Sequence, residues 1–248
     1  MIKREKINIR GVYFDSVTMN EAVAICDGLI NSGGGAVYTP NAEIVQLCVE
    51  QPEHYELINS ADLVIPDGAG VVLASKLLGT PLVKGKVAGV ELGAHLAALA
   101  AEKGYPLFIL GGKPGVAATA AENLAAKNPG LIIAGTNDGY FKEDAPIIEM
   151  LRESGAKIVF VCIGVPRQEK WIRAHRSELH GMLLCGLGGS ADIYAGVAKR
   201  APKLFIKLGC EWLWRLIREP KRIGRMMKLP KFVLGTIFRG KKDSRSRQ

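Results

Sequence analysis

The sequence predicts an α/β fold: a doubly wound, mostly parallel, Rossmann-like sheet followed by a basic helical appendage at the C-terminus. Three observations predict it. Short apolar runs, such as residues 107–110 and 158–163, alternate with longer helical runs, which means strands buried on both faces and joined by crossover helices. Glycine or proline stands at most of the strand-to-helix junctions. The charge also changes abruptly near the end. Residues 199–248 carry 16 Lys or Arg against three acids, a net of +13, while the 198 residues before them carry −4. The expected division is therefore a core over residues 1–198 and an appendage over residues 199–248.

Taken in order, residues 12–14 read as a short strand. Thr18-Met-Asn-Glu21 has the spacing of a capping box, in which hydroxyl and carboxylate satisfy each other's backbone N–H, and it opens a helix through Ile30. Residues 36–38 form a strand, followed by a helix from about residue 41 with Ile44, Val45 and Cys48 on one face. Pro52 opens a short helix. Leu63-Val64-Ile65 is a strand that runs into Pro66-Asp67-Gly68, with a helix after it to residue 78. Residues 82–88 are a basic loop, and residues 89–103 an alanine-rich helix. The second half alternates more cleanly: strands at 107–110, 131–134, 158–163 and 182–185, and helices at 116–127, 144–154 and 166–179. The appendage predicts one helix from Pro202 through Leu216, an interruption at Glu219-Pro220, and a second amphipathic run. Residues 239–248 are charged enough to predict disorder.

Composition narrows the function. A chain of 248 residues, 48% hydrophobic, can bury a sizeable core. No apolar run reaches the roughly 18 residues of a membrane span, and the charged opening lacks a signal-peptide core. Cys26, Cys48, Cys162, Cys185 and Cys210 show no C-x-x-C pairing and read as free thiols of a reducing compartment. The four histidines lack metal-ligand spacing, and no Asp-x-Asp is present to hold a divalent cation on a diphosphate. No metal and no cofactor is expected. The cationic end points to an anionic partner.

The candidate chemistry lies at strand ends, where ligands of open α/β sheets bind. Asp67 is placed as a base, and Thr39 and Asn41 as neutral hydrogen-bonding groups, provided their two strands are neighbours; a carboxylate beside an amide and a hydroxyl suits a hydroxylated substrate. The competing reading makes each of them a helix cap. Gly111-Gly112 and the loop around Gly188 could admit a phosphate to backbone N–H groups, although tight turns use glycine for geometry alone. Neither is a G-x-G-x-x-G or a P-loop. Gln168 could hold sugar hydroxyls through both ends of its amide, or simply open an amphipathic helix. The appendage fits an interfacial helix on an anionic leaflet, or a packed hairpin with a solvated basic face.

Four blocks carry a resemblance that spans nearly the whole chain in order: Thr39-Pro-Asn-Ala-Glu, Pro66-Asp67-Gly68, Phe160-Val-Cys-Ile-Gly-Val-Pro-Arg-Gln-Glu-Lys-Trp171 and Gly188-Gly-Ser-Ala-Asp192. They resemble the signature blocks of the WecG/TagA/CpsF glycosyltransferase family, and within it the TagA branch. The resemblance implies an inverting transfer of N-acetylmannosamine from a UDP-sugar to the 4-hydroxyl of N-acetylglucosamine on undecaprenyl diphosphate, in wall teichoic acid linkage-unit synthesis. It implies Asp67 as base, with Thr39 and Asn41 positioning. Asp192 would lie near the uridine, with Gly111, Gly112, Asp138, Tyr140, Gln168 and Gly188 as further donor contacts, and Arg215, Arg222 and Arg225 would bind the diphosphate. The implied setting is cytoplasmic, peripheral on the inner face of the membrane, and compatible with a homo-oligomer; nucleic acid is not an expected partner. A related branch uses N-acetylmannosaminuronic acid, which would need an added cation in the pocket. Two other classes compete: a dinucleotide-dependent oxidoreductase, which lacks its fingerprint glycines here, and a nucleic-acid binder, which would explain only the basic end.

Overall fold

The computed structural model describes residues 4–207, 210–218 and 223–245. The chain opens with an antiparallel hairpin, β1 (Glu5–Ile9) and β2 (Val12–Ser16), turned by Arg10 and Gly11 at φ 53° and 93°. Only the second of these strands was expected. The capping box forms as its spacing predicts: Thr18 Oγ1 accepts from the Glu21 N–H at 3.2 Å, and the Glu21 carboxylate accepts from the Thr18 N–H at 2.7 Å. It opens α1 (Met19–Asn31).

Then follow β3 (Gly35–Tyr38), α2 (Ala42–Glu50), α3 (Glu53–Asn59), β4 (Leu63–Val64), α4 (Ala69–Leu77) and α5 (Gly89–Lys103). The second half supplies β5 (Leu107–Gly111), α6 (Val116–Lys127), β6 (Ile133–Asn137), α7 (Ala145–Glu153), β7 (Ile158–Cys162), α8 (Arg167–His175), β8 (Leu183–Gly186) and α9 (Ser190–Tyr194). Six strands form one parallel sheet in the order β4-β3-β8-β7-β5-β6. The doubly wound expectation holds. Alternate residues of the same buried strands feed two cores: Tyr38, Phe108, Leu110 and Val159 pack under α2, α3, α4, α7 and α8, while Val37, Leu107, Ile109 and Phe160 pack under α1, α5, α6 and α9.

The C-terminal region forms α10 (Lys203–Lys207), α11 (Glu211–Arg218), α12 (Ile223–Met226) and α13 (Lys228–Arg245). The single helix expected from Pro202 to Leu216 is thus two. The expected disorder from residue 239 is also corrected: α13 runs on to Arg245, in keeping with the helix-favouring lysines and arginines there. Its inner side docks on the body. Phe232 is fully buried in the core shared with α2 and α4. The Arg10 guanidinium lies 5.9 Å from its ring centroid, with Nη1 donating to Gln46 Oε1 at 3.2 Å. Glu50 on α2 pairs with Lys231 at 2.7 Å and Lys228 at 3.6 Å. Burial of one phenylalanine contributes about 2–3 kcal/mol, against about 0.5 kcal/mol for an exposed ion pair, so Phe232 is the main anchor.

Candidate active site

Because β3 and β4 are parallel neighbours and β8 lies on the other side of β3, the loops past their carboxyl ends meet. The Asp67 N–H donates to Pro40 O at 3.2 Å, tying the loop after β4 to the loop after β3. The N-cap of α4 is Gly68, at φ 88°, and no side chain caps that helix. The N-cap position thus falls one residue beyond Asp67. Gly70 lets α4 approach α2 closely, since a Cβ there would stand 3.0 Å from the Ala42 Cβ. Asn41 is a cap: its Oδ1 accepts from the Ile44 N–H at 3.1 Å, which fixes the side chain at the mouth of α2. Thr39, almost fully buried, donates its hydroxyl to Gly186 O at 2.9 Å and so pins β3 to the end of β8.

On the opposite side, Gln168 is buried and both ends of its amide are already engaged. Nε2 donates to Glu169 Oε1 at 2.8 Å, and Oε1 accepts from the Gly188 N–H at 3.0 Å. Each end of the amide has a second hydrogen-bonding position beyond these internal partners. Ser190 Oγ donates to Leu187 O at 2.7 Å and closes the turn that presents Asp192. Glu169 is 1% exposed, and burial lifts its carboxyl to about 7. Cys162 reaches the same space, but burial pushes its thiol to about 12, which leaves it an uncharged apolar contact.

These groups surround one cavity of about 1030 Å³. Its inner wall holds Thr39, Asn41, Asp67, Gln168, Gly188 and Asp192. Its outer wall is apolar and comes from α4, α11 and α13, through Leu73, Trp212, Leu229, Val233 and Leu234. Two ion pairs hold the C-terminal region at the rim: Lys86 with Glu211 at 3.7 Å, and Arg200 with Glu91. Of the three expected diphosphate ligands, Arg222 lies outside the described residues, as do the side chains of Arg215 on α11 and Arg225 on α12. Among the described residues, no group of three His, Cys, Asp or Glu side chains could share a metal ion.

Four expected donor contacts stand apart from the cavity wall, past β5 and β6. Gly111, at φ 139°, packs so tightly that a Cβ would meet Cys162 O at 2.3 Å, which excludes a side chain there. The Gly112 N–H donates to Cys162 O at 3.2 Å, and Gly112 O accepts from the Gly139 N–H at 2.9 Å. Asp138 Oδ1 closes a turn by accepting from the Tyr140 N–H at 2.8 Å, and Tyr140 is 67% exposed. Arg167 staples this loop to α8 through Gly139 O at 2.6 Å.

Comparison with known proteins fits this geometry. The description "Glycosyl transferase WecG/TagA/CpsF family" matches residues 7–247. The chain belongs to the WecG/TagA/CpsF family. It is a glycosyltransferase. Three curated relatives of the family are each named N-acetylglucosaminyldiphosphoundecaprenol N-acetyl-beta-D-mannosaminyltransferase. The one from Bacillus spizizenii is 37% identical over 82% of this chain and 79% of its own length. That from Staphylococcus aureus is 34% identical over 92% and 91%, and that from Bacillus subtilis 32% over 86% and 82%. For a member of the WecG/TagA/CpsF family, the cavity at the ends of β3, β4, β7 and β8 is the candidate active site. Sequence reasoning missed Glu169, Ser190 and Arg200 in and around it. Glu169 and Ser190 lie inside the quoted blocks, but nothing local signals that the acid is buried.

Proposed function

We propose that the protein is an inverting transferase that moves N-acetylmannosamine from UDP-N-acetylmannosamine to the 4-hydroxyl of N-acetylglucosamine-diphosphate-undecaprenol, as in wall teichoic acid linkage-unit synthesis. The names of relatives that cover most of this chain support the substrates. One observation carries the mechanism: Asp67 lines the same cavity as Thr39 and Asn41, on a loop tied to theirs through the Asp67 N–H and Pro40 O. Its carboxylate takes the proton of the acceptor hydroxyl, whose oxygen attacks the anomeric carbon as the bond to UDP breaks toward the β-phosphate. The donor lies along Gly188 and Asp192. Arg215, Arg222 and Arg225, in an appendage over residues 199–248, offset the charge of the leaving diphosphate through the planar fork of arginine.

The apolar outer wall suits the lipid part of the acceptor, for which a nucleotide sugar offers no match. Beyond it, Ile237 and Phe238 are exposed among the cations of the C-terminal region, which supports peripheral binding to an anionic inner leaflet. No helix among the described residues is long and apolar enough to cross a membrane. A uronic acid donor would need a cation in the wall. Among the described residues that cation is Arg200, and Glu91 already pairs with it, which favours the uncharged sugar. The test is a screen of UDP-sugars against a lipid-diphosphate N-acetylglucosamine acceptor, with the product's anomeric configuration read by NMR. N-acetylmannosamine transferred with inversion is expected; retention of configuration, or preference for the uronic acid, would overturn the reading.

A further inference from the structure

We propose that Glu169 is a positioning residue: its buried carboxylate sets the orientation of the Gln168 amide, whose carbonyl captures the Gly188 N–H and holds the 186–190 loop in shape. Glu169 Oε1 accepts from Gln168 Nε2 at 2.8 Å, and once ionised, above about pH 7, the carboxylate can only accept and so holds the amide with Nε2 toward it. Oε1 then faces the Gly188 N–H at 3.0 Å. A flipped amide would set oxygen against carboxylate and N–H against N–H. The Gly188 N–H opposes the flip at one end, and the ionised carboxylate, which cannot donate, excludes it at the other.

The consequence reaches both sides of the cavity. Gly188 turns at φ 56°, and its loop leads to Ser190 and Asp192. Gly186 lies against Gln168, where a Cβ would stand 3.1 Å from Nε2, and its carbonyl receives the Thr39 hydroxyl. The acid itself is held in place because Tyr38 OH donates to the Glu169 backbone carbonyl at 3.1 Å. Packing alone does not call for an acid here. Glu169 is 1% exposed, and among the described residues its Oε2 finds no hydrogen-bond partner, an arrangement that destabilises a fold. Burial accordingly raises its pKa, and its charge acts on the Tyr38 hydroxyl of β3.

The effect on donor binding rests on the function proposed above; the effect on the loop does not. The test therefore reads both, on the full chain and on Glu169→Gln and Glu169→Leu. Amide hydrogen exchange at Gly188 should quicken about tenfold or more in the Leu variant, the scale of one lost hydrogen bond, with β7 amides unchanged. The Gln variant, which keeps an acceptor oxygen, should fall between. Melting at pH 8 should not drop in the Gln variant, whereas a merely structural acid would lower it. The KM for the UDP-sugar should rise by about tenfold in the Leu variant, with kcat within about threefold. Unchanged Gly188 exchange in both variants would overturn the proposal, as would faster exchange spread evenly over the sheet. A wild-type protein that binds no UDP-sugar would overturn the donor reading, while the Gly188 measurement would still decide the role of Glu169.

Discussion

The loops past β3, β4, β7 and β8 and those past β5 and β6 look alike in sequence, each carrying glycines and polar side chains just beyond an apolar strand. They differ in how their loops turn. The first group lies on the adjacent strands β4, β3, β8 and β7, and Thr39, Asn41, Asp67, Gln168 and Gly188 line one cavity. The second continues the same sheet, β5 beside β7 and β6 at the edge, and its loops turn onto their neighbours: Gly112 binds Cys162 at the end of β7, and Asp138 closes its own turn. Adjacent strands bring loops together, and the turn of each loop sets which residues line the cavity.

Substitutions can break that contrast. The largest effect is expected from Gly111→Ala. A side chain at φ 139° pressed against Cys162 O should cost about 3 kcal/mol or more of stability in denaturant unfolding, while the folded fraction keeps its affinity for UDP. Reduced UDP affinity in the folded variant would put the β5 loop back in the site. On the cavity side, Glu169 should make stability depend on pH. Its folded pKa of about 7 lies above the ordinary carboxylate value of 4.5, so between these two the folded state holds a proton that the unfolded state releases. Unfolding free energy should therefore fall as pH rises from about 4.5 to 7, by at most about 3 kcal/mol relative to Glu169→Gln.

Asn41→Ala should lose about 1 kcal/mol of stability as a helix cap. It should lose turnover as well, because the same side chain faces the cavity; stability loss with full activity would reduce it to a cap. The smallest effects belong to Asp138→Asn and Tyr140→Phe, each expected within about 0.5 kcal/mol in stability, with donor KM within about twofold. A larger change in KM would move the donor toward the β6 loop.

Much of this was legible from residue order. The alternation of apolar and helical runs predicts the sheet, the Thr18–Glu21 spacing predicts the capping box, and Leu63-Val64-Ile65-Pro66 brings Asp67 to a strand end, although β4 itself closes at Val64. The first strand of the hairpin gives a weak signal, only Ile7 and Ile9 alternating with polar residues, and pairing with β2 is what defines it. The two hydrogen bonds of the Gln168 amide were not legible. One partner is its own neighbour, whose burial depends on packing under β3, and the other comes 20 residues later across a strand. For α13, tertiary docking through Phe232, more than helical periodicity, sets where the segment lies.

Asp67→Asn tests the central claim most directly, with transfer rate and UDP binding measured on the same preparation. The account predicts that kcat falls by about 10² to 10⁴, the range of a positioned general base, with the UDP dissociation constant within about threefold of wild type. Turnover within a factor of a few of wild type would contradict it.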